Sequence, residues 1–425
     1  MASRTTQVVL ACTAVGAVAL TACSSKGSKG DTSSTNAGGT GTTTSQAATS
    51  SQATSSASTT AAPPSAAALN PQLPAGDGKA KCTNVTLAYI GTINGTSAAL
   101  GIAIRNGTQL AINQHNQANA GCQVGFKQYD SEGSPDKAPG VVTQAINTKN
   151  IVGVVGLPFS GESKAVGKAF NTAGLVTITP SATNPGLAQN GWKTFFRALG
   201  NDASQGPVAA KFIENDLGAQ TVCVIEDDSE YGKGLSQTVQ QGLGSKVKCT
   251  DDVKTAQTDF SATVNKIVSQ QPDAVFYSGY YPEAGPFVQQ LKQAGYNGKI
   301  IAPDGSKDPL FVKGAGQSAA EGVYFTCPCV PADASATFAQ QYQAAYKVEP
   351  QTYSAEAYDA ATILLRGIDA GNTTRPKLLS WVGGYDADGI TKHYKFQSNG
   401  ELAGTVAIWS YVVKNGQVTK FKQLQ

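Results

Sequence analysis

From Val85 onward, short apolar runs alternate with stretches in which apolar residues recur every three or four positions. "VTLAYIG" is followed by the helical pattern "GIAIRNGTQLAINQHNQ", then by "VGFKQYD", a helix around "APGVVTQAINTKN", "IVGVVG", the helix "ESKAVGKAFNTAG" and "LVTIT". The short runs are nearly continuously apolar. Strands buried on both faces read this way, which predicts a parallel sheet covered by helices. After about Asn201 the rhythm restarts, with strands at "TVCVIED", "KVKCTDDV", "AVFYSGY" and "KIIAPD" and helices between them. The chain ends on the strand-like "TVAIWSYVV". The pattern predicts two similar α/β lobes.

The first eighty residues break this rhythm. An apolar run from Val8 to Leu20, with Arg4 ahead of it, is too short to span a bilayer and predicts a signal peptide over residues 1–22. It ends in Leu20-Thr21-Ala22-Cys23, which resembles the bacterial lipobox. The resemblance implies cleavage before Cys23 and a diacylglycerol on its thiol. Residues 23–80 are Ser, Thr, Ala and Gly with some Pro, and they carry too little apolar surface to offset the entropy of ordering. They are expected to form a disordered tether. The folded part is then exported and lipid-anchored to the outer face of the cell membrane, touching it through the lipid only.

Charge and cysteines narrow the picture. The formal net charge is +3, with no Lys/Arg cluster, so nucleic acid and anionic surfaces are excluded as partners. Of eight cysteines, Cys12 and Cys23 precede the folded part; the six that remain favour disulfides in an exported chain. Successive strands tend to be neighbours, which pairs Cys82 with Cys122 and Cys223 with Cys249. Cys327 and Cys329, on either side of Pro328, are left for a tight local ring. With only His115 and His393, no metal centre is expected.

A parallel sheet binds ligands at the carboxyl ends of its strands. Those ends read "YIGTING", "VVGLPFSGES", "TITPSATNP", "IEDDSEYG", "YSGYYPE" and "APDGS", rich in hydroxyls, Gly and acids where the strands themselves are plain core. The stretch Gly156 to Ser163 nearly fits a phosphate loop, but Glu162 stands where the lysine belongs. Gly232-Lys233-Gly234 begins a dinucleotide fingerprint that fails at Gln237. Neither histidine sits at a strand end, so no nucleophile–base pair exists. These features predict a binding protein, not an enzyme, with no cofactor. Hydroxyls, backbone amides and a well-placed acid suit a zwitterion, whose charges must both be matched on burial.

The pieces "TITPSAT", "FRALGNDASQGPVAAKFI", "YGKGL", "DFSATV", "YSGYYPEAG" and "APDG", in this order, resemble the leucine/isoleucine/valine-binding proteins, the periplasmic-type substrate-binding proteins of branched-chain amino-acid ABC transporters. The resemblance runs from about Val85 to Trp409. It implies a two-lobed periplasmic binding protein type I fold of α/β class, each lobe a parallel sheet flanked by helices, with three hinge crossings. Lobe 1 is expected at 83–200 plus 329–404, and lobe 2 at 201–328 plus 405–425. The resemblance implies that Ser160, Ser181 and Thr183 hold the ligand from lobe 1. Tyr231 and Tyr280 line the cleft from lobe 2, and Asp304 pairs with an ammonium. It implies a monomer that hands an aliphatic amino acid to the permease and ATPase subunits of an importer. Another small ligand (an amide, urea or an aromatic acid) and a sensing role are the alternatives within the same fold. The family's disulfide between the loops after the second and third strands is absent, because Gly133 and Phe159 hold those places. Leu100 stands where the first loop often has an aromatic. Glu162 replaces a small or neutral residue.

Overall fold

The computed structural model of the chain describes residues 69–425. The predicted signal peptide, the lipidation site Cys23 and the tether up to residue 68 lie outside the described residues. Among the described residues no helix is long and apolar enough to cross a membrane.

Two sheets organise the molecule. The first contains β1 (Thr86–Gly91), β2 (Gly125–Asp130), β3 (Ile151–Gly156), β4 (Val176–Thr179) and β5 (Phe195–Arg197), in the order β2-β1-β3-β4-β5 and parallel throughout. Every residue of β1, β3 and β4 is buried, whereas β2, at the edge, is only partly covered. The continuous apolar runs are therefore the inner strands, sandwiched between helices.

The second sheet contains β6 (Val222–Asp227), β7 (Val247–Val253), β8 (Ala274–Ser278), β9 (Lys299–Ala302) and β10 (Tyr324–Cys327). After β10 the chain returns to the first lobe, where β11 (Asp386–Asp388) and β12 (His393–Lys395) form a small hairpin. It then crosses back to add β13 (Trp409–Lys414) and β14 (Gln417–Gln423), giving the order β14-β13-β10-β9-β8-β6-β7. This sheet is mixed, not parallel: β13 runs antiparallel to both β10 and β14. The cause is local. Asn415 and Gly416 both take positive φ (53° and 75°), the two-residue turn that an Asn-Gly pair favours, so the terminal segment folds back on itself as a hairpin.

Among the described residues three disulfides are present, Cys82–Cys122, Cys223–Cys249 and Cys327–Cys329. Cys223 and Cys249 are register partners on β6 and β7. Residues 70–80, which composition assigned to the tether, lie against the first lobe. The Asn70 and Gln72 amides donate to Asp388, at 2.9 and 2.7 Å. The Asn119 carboxamide donates to the Ala75 carbonyl and accepts from the Ala80 amide. Composition counts apolar surface; it does not see backbone groups that a folded partner can satisfy.

Candidate functional site

The carboxyl ends of the two sheets face each other across a cleft, and in this structure the cleft is closed. Lys164, on the first lobe, pairs with Glu230 on the second at 2.9 Å. The Tyr281 hydroxyl donates to the Thr96 carbonyl at 2.7 Å, and the Asn184 carboxamide donates to the Glu230 carbonyl at 2.9 Å. Phe159 and Tyr280 meet edge to face with ring centroids 4.9 Å apart, and Tyr280 lies 5.0 Å from Tyr231. Gly133 takes φ +72°, and the Phe159 ring packs against it where a side chain would stand, so the two positions that lack the family's disulfide are in contact.

The wall from the first lobe is the loop 180–184, between β4 and a single helical turn at Pro185–Gln189. It is held from within. The Thr179 hydroxyl donates to the Leu157 carbonyl at 2.8 Å and accepts the Ala182 amide at 3.0 Å. The Ser181 hydroxyl donates to the Pro158 carbonyl at 2.8 Å, and Ser160 Oγ accepts the Asn184 amide at 3.2 Å. Beneath the loop lies Arg197, completely buried at the end of β5. Its guanidinium donates to the Ala182 and Asn184 carbonyls and grips Glu401 with two bonds of 3.1 Å. Sequence reading assigned Arg197 and Glu401 no role. They lie 204 positions apart and meet only because the chain returns to this lobe.

Thr183 differs from the two serines. It is fully buried, and its hydroxyl has no hydrogen-bond partner on the protein. Its carbonyl accepts the amide of Asp202, the first residue of the helix Asp202–Lys211. Asp202 is itself fully buried, and neither carboxylate oxygen makes a hydrogen bond of good geometry, the neighbouring Thr183 hydroxyl lying just outside it; one turn on, Gln205 Oε1 is buried and unpartnered too. Burial, and then the negative charge of Asp304, push the Asp202 carboxyl well above its ordinary value, and the Thr183 hydroxyl and the Arg197 guanidinium draw it back only in part.

Asp304 completes the opposite wall, just beyond β9, and is 1% exposed. The Tyr231 hydroxyl donates to Oδ1 at 2.8 Å, and the Tyr353 hydroxyl donates to Oδ2. Burial raises its pKa, and the phenols of Tyr353 and Tyr231 pull it back. A third buried acid, Glu162, lies in the first turn of the helix Ser160–Ala173. Its Oε2 accepts the Phe159 amide at 3.4 Å, and burial pushes the carboxyl up to about 7 against the lowering effect of the Ser131 hydroxyl and that amide.

The structure thus gathers Ser160, Ser181 and Thr183 on one wall and Tyr231, Tyr280 and Asp304 on the other. It adds Asp202, Gln205 and Tyr353, which sequence reading missed. Asp202 and Gln205 sit inside the quoted "FRALGNDASQGPVAAKFI", so the stretch was visible but not their orphaned oxygens. Buried polar atoms are normally hydrogen-bonded; isolated exceptions occur at Thr194 and Tyr277, but in the cleft the unpartnered atoms of Thr183, Asp202 and Gln205 are gathered together. Two buried carboxyl groups, Asp202 and Asp304, thus share the cleft with a hydroxyl and a carboxamide oxygen, an arrangement whose chemistry suits a cationic group.

The fold is shared with known proteins. The family model for periplasmic binding proteins matches residues 84–417. The chain is 29% identical over 326 residues to the leucine-, isoleucine-, valine-, threonine- and alanine-binding protein of Pseudomonas aeruginosa, covering 75% of this chain and 87% of that one. It is 32% identical over 254 residues to the leucine-specific-binding protein of Salmonella typhimurium, covering 59% of this chain and 68% of that one. Among solved structures, the branched-chain amino acid transporter substrate binding protein LivJ of Streptococcus pneumoniae, in complex with isoleucine, superposes with a TM-score of 0.75 at 26% identity. That match covers 80% of this chain and 100% of that one.

Proposed function

The chain belongs to the periplasmic binding protein family, in its leucine/isoleucine/valine-binding branch, and from that premise we propose that it captures a free aliphatic amino acid for an ABC importer. The observation that carries the reading is Asp202, a fully buried acid near Asp304 with no well-formed hydrogen bond on either oxygen and the Thr183 hydroxyl close by to ease its charge. A buried carboxylate without a partner costs several kcal/mol. An ammonium placed between Asp202 and Asp304 removes that cost and accounts for the unpartnered Thr183 hydroxyl beside it. The ligand's carboxylate then lies toward Ser160 and the amino end of the helix Ser160–Ala173, where free N–H groups favour an anion. Ser181 supports the loop, and Tyr231 and Tyr280 close the second lobe over the ligand. The apolar faces of Phe159 and Tyr280 suit an aliphatic side chain.

Lipidation of Cys23 and the tether would keep the protein at the outer face of the membrane, within reach of permease and ATPase subunits. The relatives' names, which specify branched-chain and small aliphatic amino acids, support the ligand class. The test is calorimetry against leucine, isoleucine, valine, threonine and alanine, with amides and benzoate as controls. Binding of the amino acids together with failure of their N-acetyl derivatives supports the reading. Equal binding of the N-acetyl forms would show that no ammonium enters the cleft.

A further inference from the structure

We propose that Tyr353 is a positioning residue that ties closure of the two lobes to Asp304, through a hydrogen bond that forms only when the cleft is shut. Tyr353 belongs to the segment that returns to the first lobe after β10, and it caps the helix Ser354–Asp369. Asp304 belongs to the second lobe. The phenol therefore reaches across the cleft, while the other phenol on the same carboxylate, Tyr231, comes from Asp304's own lobe.

Three observations set this contact apart from ordinary packing. First, Tyr353 is 3% exposed and holds φ +70°, ψ −1°, a left-handed backbone that a bulky residue rarely adopts. Such conformations persist where the surroundings enforce them, and they concentrate at functional sites. Second, the neighbouring residue makes the same crossing. The Thr352 hydroxyl donates to the Lys307 carbonyl at 2.7 Å, and the Lys307 ammonium donates back to Thr352 Oγ1 at 3.1 Å. Residues 352–353 thus clasp residues 304–307 at both ends. Third, both oxygens of Asp304 are held by phenols, whereas Asp202, Gln205 and Thr183 keep unpartnered atoms. Asp202 meets the ligand alone, whereas Asp304, which shares the ligand's ammonium, also registers closure.

The consequence is kinetic. When the lobes part, Asp304 loses one of its two donors, so the phenol resists opening and slows ligand release. It contributes little to the first encounter, which takes place in the open cleft. The same bond needs no ligand, so the ligand-free protein has a closed population. This inference rests on the binding-protein reading of the cleft, but the ligand-free behaviour does not depend on which ligand binds.

The experiment uses Tyr353→Phe, which keeps the ring and removes the hydroxyl. With L-leucine as probe in stopped flow, the dissociation rate should rise tenfold or more while the association rate stays within about twofold, since a bond to a charged group is lost. In an Asp304→Asn background the same substitution should change the rate far less. Equal effects in both backgrounds would reduce Tyr353 to packing and overturn the proposal, as would an unchanged dissociation rate. Ligand-free wild type and Tyr353→Phe are compared in parallel by distance measurement between labels on the two lobes. The wild type should show a closed subpopulation that the variant lacks; identical distributions would overturn the proposal even if leucine does not bind. Failure of leucine alone counts against the ligand class, not against the latch.

Discussion

The two walls of the cleft solve opposite problems. The wall from the first lobe, loop 180–184, is held from within everywhere but at the Thr183 hydroxyl: Ser181 and Thr179 bond to the carbonyls of Pro158 and Leu157, and Arg197 braces two loop carbonyls against Glu401. The wall from the second lobe carries acids that the protein leaves unmatched or only partly matched. A satisfied wall is stable and stiff before the ligand arrives, so little ordering entropy is lost on binding. An unsatisfied wall is costly until the ligand arrives, and that cost makes binding selective for a cation. Substitutions should therefore separate the walls. The braced wall should lose stability, and the acid wall should lose affinity while gaining stability.

The largest expected effect is at Arg197. Arg197→Met removes the only charge that holds Glu401 and releases the Ala182 and Asn184 carbonyls. Breaking a buried pair from one side costs about 3–5 kcal/mol, which urea denaturation would read as a shifted midpoint. A shift below about 1 kcal/mol would mean that the loop stands without its brace. Next is Asp202→Asn. It should weaken binding of an amino acid by roughly a hundredfold, about 2.7 kcal/mol, yet raise the melting temperature of the ligand-free protein. If both affinity and stability fell, Asp202 would belong with the braced wall and the contrast would fail.

Glu162 tests the cost of an unmatched acid directly. Its folded pKa of about 7 lies above the ordinary 4.5, so the folded state holds the proton more tightly. The stability that this proton supplies is complete below about pH 4.5 and is lost as pH rises through 7, roughly 3 kcal/mol in all. Asp227 and Asp359, each raised to about 6 mainly by burial, act in the same direction over a narrower window. Glu162→Gln should flatten the decline in stability between pH 5 and 7.5. A variant whose pH profile overlays the wild type would place the titrating group elsewhere.

The contrast also explains what could be read in the sequence. Continuous apolar runs gave the inner strands, and the polar strand ends gave the edge of the cleft, because both are local patterns. The terminal hairpin carries a local signal as well, the Asn415-Gly416 pair with its preferred turn, but the strand-like run before it reads as a single terminal strand. Arg197 with Glu401, and Tyr353 with Asp304, were not legible. Each pair joins segments that are adjacent only after the chain has crossed between lobes. Nor could the sequence separate a hydroxyl that braces from one that binds. Ser160, Ser181 and Thr183 look alike in a string, and only the distribution of hydrogen-bond partners divides them.

That division gives the smallest and most discriminating prediction. Thr183 Oγ1 is buried without a partner, whereas Ser181 Oγ donates to the Pro158 carbonyl. In ligand-free protein Thr183→Ala removes a hydroxyl that makes no well-formed hydrogen bond and only eases the charge of Asp202, so stability should change by less than about 1 kcal/mol. On binding, the same substitution removes one hydrogen bond to the ligand and should cost about 1–2 kcal/mol of affinity. Ser181→Ala should behave in reverse. It leaves a buried carbonyl without its donor, at a cost of about 1 kcal/mol or more in stability, and affects affinity only through loosening of the loop. Thermal melts and calorimetry on the two variants yield four numbers, and the opposite pairing of losses is the signature. If Ser181→Ala loses the affinity and Thr183→Ala the stability, unpartnered buried oxygens are not the marker of the ligand site in this cleft. The assignment of Asp202, which rests on the same criterion, would then fall with them.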